Sequence, residues 1–118
     1  MKKAKVVVVK KPWGEENIFA DSGLYLGKIL TINKGHKLSL QYHTKKHETL
    51  YVLSGRCLLE ISGHKYRYKP GDVAVIPPGT LHRFCAPRGK VTLIEVSTPH
   101  SEDTVRVKDD YGRRHKRS

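Results

Sequence analysis

Leu38-Ser39-Leu40-Gln41-Tyr42-His43, then Thr44-Lys45-Lys46-His47, then Glu48 ahead of Thr49-Leu50-Tyr51-Val52-Leu53, is the stretch that decides the fold. Gln41 and His43 are two residues apart in a strand-like run from Lys37 to His43, and a period of two puts both side chains on one sheet face. A Gln and a His on a strand whose neighbours are Leu38 and Leu40 are unusual. Glycines bracket the stretch at Gly35 and Gly55. A second block runs from Gly71 through the rigid turn Pro77-Pro78-Gly79 to His82. Antiparallel strands can bring such separated groups together. One amide oxygen, two imidazoles and one carboxylate suit a divalent metal of borderline hardness, namely Zn, Mn, Fe, Co or Ni. The plainer alternative makes Gln41 a hydrogen-bonded interior residue.

Turn signals recur outward from these blocks: Asp21-Ser22-Gly23, Asn33-Lys34-Gly35, Ser54-Gly55, Ser62-Gly63, Pro70-Gly71 and Pro87-Arg88-Gly89. Between them lie runs rich in β-branched and aromatic residues: Leu24 to Ile32, Arg56 to Ile61, Lys65 to Lys69, Val73 to Ile76 and Val91 to Val96. Lys65, Arg67 and Lys69 alternate with Tyr66 and Tyr68, the period of a strand. No window of helical length keeps a 3.6-residue period without a Gly or Pro breaking it. Roughly ten short strands with regular turns predict an all-β sandwich or small barrel. Cys57 and Cys85 each sit in an apolar run with no CxxC spacing, so both are expected to be reduced and packed.

The chain has 118 residues, with 23 Lys and Arg against 11 Asp and Glu and a formal charge of +12. That length suits one domain, 1–118, with a core at about 11–113. The charge first suggests nucleic acid, an anionic surface or a phosphorylated substrate. Its distribution narrows the choice. Residues 1–11 hold five lysines and residues 113–118 hold four basic residues, leaving 12–112 at only +3. No aromatic interleaving accompanies the basic ends, so no nucleic-acid partner is expected. Val6 to Val9 is far shorter than the apolar segment of a signal peptide, and no run approaches a membrane span. A cytoplasmic location without a membrane partner is therefore expected.

The two glycine-bracketed blocks resemble the two sequence motifs of the cupin superfamily, with Gln41 where the first His usually stands and Ala86 where an Asn does. The resemblance implies a double-stranded β-helix, a jelly-roll barrel holding a metal on Gln41, His43, Glu48 and His82. A narrower resemblance is to the type II mannose-6-phosphate isomerase family, which includes the isomerase half of bifunctional mannose-1-phosphate guanylyltransferases. It rests on Lys11-Pro12-Trp13-Gly14, Leu38-Ser39-Leu40-Gln41-Tyr42-His43, Ile76-Pro77-Pro78-Gly79 with His82-Arg83, and Ile94-Glu95-Val96. Glu102-Asp103 with Val105-Arg106, and Asp109-Asp110-Tyr111-Gly112-Arg113, complete it. The chain departs from that pattern at Thr49-Leu50, where the family has His-Trp, and at Thr98-Pro99-His100-Ser101.

The resemblance implies a metal-dependent aldose–ketose isomerase of a sugar phosphate, with mannose 6-phosphate and fructose 6-phosphate the first pair to test and zinc the first metal. Lys46 is then a candidate proton shuttle, if metal and burial lower its pKa. Arg83, next to the ligand His82, is a candidate phosphate or enediolate clamp. Arg106 and Arg113 are further phosphate candidates, and a homodimer is expected. The competing readings are a non-catalytic cupin that binds a sugar or sugar nucleotide and regulates a partner, and a metal-dependent oxygenase. Fold alone cannot choose among them.

Overall fold

A computed structural model describes residues 3–100 and 103–110. Its elements are the strands β1 (Val7–Lys11), β2 (Gly14–Asp21), β3 (Leu26–Ile32), β4 (Leu40–His43), β5 (Glu48–Ser54), β6 (Cys57–Ile61), β7 (His64–Tyr68), β8 (Val73–Ile76), β9 (His82–Cys85), β10 (Val91–Ser97) and β11 (Thr104–Lys108). They form two antiparallel sheets, ordered β1-β2-β3-β10-β5-β8 and β11-β4-β9-β6-β7. Among the described residues no helix is long and apolar enough to cross a membrane.

Alternation along the strands builds the core between the sheets. Leu26, Lys28, Leu30 and Ile32 of β3 are buried, as are Val91, Leu93, Glu95 and Ser97 of β10. Trp13, Leu50, Val52, Leu59, Ile76 and Phe84 join Leu30, Ile32 and Leu93 in one apolar cluster. Each such side chain stabilises the fold by about 1.5–3 kcal/mol when fully buried. The β5–β6 turn has a steric requirement. Gly55 adopts φ +83°, and a Cβ there would collide with the Lys90 carbonyl oxygen, so only glycine suits it.

Most strand runs lie where the sequence places them. The run expected from Lys37 to His43 shortens to Leu40–His43, with Lys37 left in a lone bridge to Cys85. β2 was not expected, because Glu15, Glu16, Asn17, Ala20 and Asp21 are poor strand formers. Its pairing with β1 on one side and β3 on the other overrides that propensity. Cys57 and Cys85 are free and buried. Burial pushes their thiols up to about 11 and about 12, respectively, which leaves them inert near neutrality.

The topology concentrates polar residues at one end of the barrel. β4 lies between β9 and β11, with Gln41 directly opposite His82 on one side and Arg106 on the other. Thr104 of β11 lies opposite His43. The facing sheet brings Glu48 from β5 and, two strands across, Lys28 opposite Glu95.

Candidate metal centre

His43 at the end of β4, Glu48 at the start of β5 and His82 at the start of β9 converge inside the barrel, all buried. Glu48 bridges the two imidazoles. Its Oε2 lies 3.4 Å from His43 Nε2 and its Oε1 lies 3.4 Å from His82 Nε2. The ring centroids are 5.4 Å apart, and one donor atom from each of the three residues falls within 4.8 Å of the others. Both Nε2 atoms are buried without a hydrogen bond. Leaving such groups unsatisfied is costly, and a metal ion would remove that cost.

Each imidazole is held by its other nitrogen. His82 Nδ1 lies 2.8 Å from the Thr80 carbonyl oxygen. A carbonyl can only accept, so Nδ1 carries the proton and Nε2 is the nitrogen left facing the cluster, as a metal ligand requires. His43 Nδ1 lies 3.2 Å from Thr104 Oγ1 and 3.4 Å from Asp103 Oδ1. Burial lowers the His43 pKa to about 4, despite the opposing pull of Glu48. Glu48 moves the same way for the opposite reason. Burial alone would raise its pKa, but His82 and the Lys46 ammonium outweigh that and hold the carboxyl well below its usual range. Neutral imidazoles and an ionised carboxylate are the forms that bind a metal.

Gln41 lines the same cavity, and its Oε1 accepts a hydrogen bond of 2.6 Å from Ser39 Oγ. That contact fixes the amide and leaves the oxygen a second lone pair. Two imidazole nitrogens, a carboxylate and an amide oxygen fit a borderline divalent ion.

Lys46 is buried between two carboxylates, with Nζ 3.0 Å from Glu48 Oε2 and 2.8 Å from Glu95 Oε2. Burial would lower its pKa, but Glu95 and Glu48 more than offset this and raise it above the ordinary lysine value. In the metal-free protein this is opposite to the lowered value that a proton shuttle needs, and Lys46 there is a cation held between two carboxylates. Arg106 lines the cavity. Arg83 does not. It follows His82 in a strand, so its side chain leaves by the other face. There Nε donates to the Leu38 carbonyl at 2.8 Å and Nη2 to the Lys108 carbonyl at 3.3 Å. These bonds tie β9 to its neighbours rather than to a ligand. Arg113 lies outside the described residues.

The cavity measures about 110 Å³, and three residues in or beside it were given no role by the sequence. Glu95 and Lys28 interrupt the inward apolar rows of β10 and β3, a signal visible to the same period-two reading that singled out Gln41 and His43. Lys28 Nζ reaches Glu16 Oε1 at 3.4 Å. Asp103 carries no comparable local signal, because its partners lie about sixty residues earlier in the chain.

The His43 shift has a pH consequence for the metal-free protein. Its folded pKa of about 4 lies below the ordinary 6.5, so the unfolded chain binds more protons between those values. The stability contribution is complete above pH 6.5 and is lost as pH falls through about 4. At roughly 1.4 kcal/mol per pKa unit it amounts to about 3 kcal/mol. Urea titrations between pH 7 and 4 should show that decline, and His43→Gln should flatten it. Identical slopes for the two proteins would refute the assignment.

The family model described as "Cupin domain" matches residues 28–100. The chain belongs to the cupin domain family. Its two sheets are those of the cupin double-stranded β-helix, and the structure of KdgF from Halomonas sp. superposes with a TM-score of 0.72 at 24% identity, covering 81% of this cupin and 86% of KdgF. Among curated proteins, the cupin is 31% identical over 110 residues to the alginate biosynthesis protein AlgA of Pseudomonas aeruginosa. It is 33% identical over 110 residues to the mannose-1-phosphate guanylyltransferase ManC of Salmonella typhimurium. Both matches cover 89% of this cupin but only 23% of the relative, so the chain spans about a quarter of these proteins.

Proposed function

We propose that this cupin is a metal-dependent isomerase that interconverts an aldose phosphate and a ketose phosphate, mannose 6-phosphate and fructose 6-phosphate being the first pair. One observation carries the reading. The cavity lined by His43 and Glu48, two members of the His43, Glu48 and His82 cluster, is also lined by the cations Lys46, Lys28 and Arg106 and the carboxylates Glu95 and Glu16. A polyhydroxylated anion finds donors, acceptors and positive charge together there. Similarity to the mannose-1-phosphate guanylyltransferase ManC along most of the chain supports a substrate from mannose chemistry, as does the sequence resemblance to type II isomerases.

On this reading Gln41, His43, Glu48 and His82 hold a divalent ion, zinc first. The ion, when bound, supplies the Lewis acidity that polarises the sugar carbonyl and the neighbouring hydroxyl. Lys46 keeps a positive charge beside the place where negative charge develops on those oxygens. Glu95, on the far side of Lys46, carries the proton between C1 and C2. Arg106 and Lys28 hold the phosphate from the cavity wall. The enzyme works in the cytoplasm on this reading, and a second copy covers the exposed apolar residues Tyr51, Leu53, Val73, Val75 and Val96 on the outer sheet face.

The test is metal analysis of the purified protein with a coupled assay on mannose 6-phosphate and fructose 6-phosphate. Metal-dependent turnover is expected. Bound metal with no turnover on any hexose phosphate would overturn the isomerase reading. Oxygen uptake by an iron-loaded sample would do the same in favour of oxygenase chemistry.

A further inference from the structure

We infer that Asp103 is a positioning residue that presets both sides of the metal centre, orienting the His43 imidazole and fixing the loop that carries Lys46. The inference rests on reading His43, Glu48 and His82 as metal ligands. Asp103 is buried just ahead of β11. Its Oδ2 accepts the backbone N–H groups of Lys45 at 2.6 Å and Lys46 at 2.7 Å. Its carbonyl accepts the N–H of Thr44 at 3.4 Å. Three consecutive amides of the loop between His43 and Glu48 thus converge on one residue, which sets where Lys46 starts and where Glu48 enters β5.

The second carboxylate oxygen gives the residue its further role. Oδ1 is buried without a hydrogen bond and lies 3.4 Å from His43 Nδ1. An oxygen left so in a purely structural staple is a cost with no return, since Oδ2 already receives both loop amides. Next to a metal-binding imidazole it has a use. Coordination through Nε2 draws electron density from the ring and strengthens the Nδ1–H as a donor, and a carboxylate is the strongest neutral-pH acceptor for it. Thr104 Oγ1, at 3.2 Å from the same nitrogen, is the rival orienting group.

Asp103→Asn and Thr104→Val separate the two. Asn keeps an oxygen for the loop amides but removes the charge facing His43. The probe is Co(II) alone, with affinity read by chelator competition and the His43 tautomer by long-range ¹⁵N NMR of the metal-free protein. We expect D103N to bind Co(II) about 10- to 100-fold more weakly, with a diminished Nδ1–H tautomer at His43. We expect T104V to lose less affinity than D103N and less than about tenfold. Unchanged affinity and tautomer in D103N would overturn the inference. If D103N does not fold, T104V decides: a tenfold loss there assigns the orientation to Thr104 and overturns it, and a smaller loss supports Asp103. Failure of the unsubstituted protein to bind Co(II) would instead remove the metal reading itself.

Discussion

Glu48→Gln is expected to abolish tight metal binding and to weaken the metal-free fold. Glu48 touches both imidazoles of the centre and the Lys46 ammonium. Its two oxygens face His82 Nε2 and His43 Nε2 at 3.4 Å each, and Oε2 also meets Lys46 Nζ at 3.0 Å. A glutamine keeps the volume and removes the negative charge. Losing the only anionic ligand should weaken divalent binding on the order of 1,000-fold, equivalent to about 4 kcal/mol. The fold suffers separately. Breaking a buried ion pair by neutralising one partner costs about 3–5 kcal/mol when the other charge is stranded. Lys46 keeps Glu95 at 2.8 Å, so the loss should lie at the low end of that range. Metal content by elemental analysis and urea unfolding of the metal-free protein check the two effects independently. A variant with full metal content would show that the cluster is not the metal site.

The parts of this centre that were legible in the sequence share one property: their geometry is local. Gln41 and His43 share a face because a strand alternates, and Glu48 follows after a fixed short loop. His82 follows a turn that Pro77, Pro78 and Gly79 make rigid. The same rule, applied to β9, runs against the expectation of Arg83 as a clamp beside His82, since adjacent residues of a strand face opposite ways. Its guanidinium accordingly goes to the Leu38 and Lys108 carbonyls. Lys28 and Glu95 were readable by alternation, as charges standing in apolar rows, but their purpose shows only when β3 and β10 pair and set them opposite each other. Asp103 lay beyond local reading. Its bonds to Lys45 and Lys46 depend on β11 returning to the edge of β4. The direction of the Lys46 pKa turned on two carboxylates, Glu95 and Glu48. Burial was foreseeable and acts downward, whereas Glu95, the larger of the two opposing influences, arrives from a strand about fifty residues away.

Lys46→Met should be the most destabilising change at this site, and metal should partly reverse it. The ammonium lies 3.0 Å from Glu48 and 2.8 Å from Glu95, and all three side chains are almost wholly buried. Its raised pKa keeps it charged at neutral pH, so its contribution is fully present there and would be lost only in strong alkali. Methionine fills the space but strands two buried carboxylates, a change that should cost about 3–5 kcal/mol in the metal-free protein. A divalent ion gives Glu48 a new cationic partner and binds only the folded form. At a hundred times its dissociation constant it restores about 2.7 kcal/mol by mass action. Saturating zinc should therefore raise the melting temperature of K46M at least as far as that of the unsubstituted protein, while the proposed isomerase activity should stay lost without the Lys46 cation. Differential scanning calorimetry with and without zinc measures this. Equal stability of the two metal-free proteins at pH 7 would show that Lys46 does not neutralise the two carboxylates as its position implies. A Glu95→Gln change added to K46M should then recover part of the loss, because it removes one of the two stranded charges. If it recovers nothing, the destabilisation comes from packing of the methionine rather than from charge.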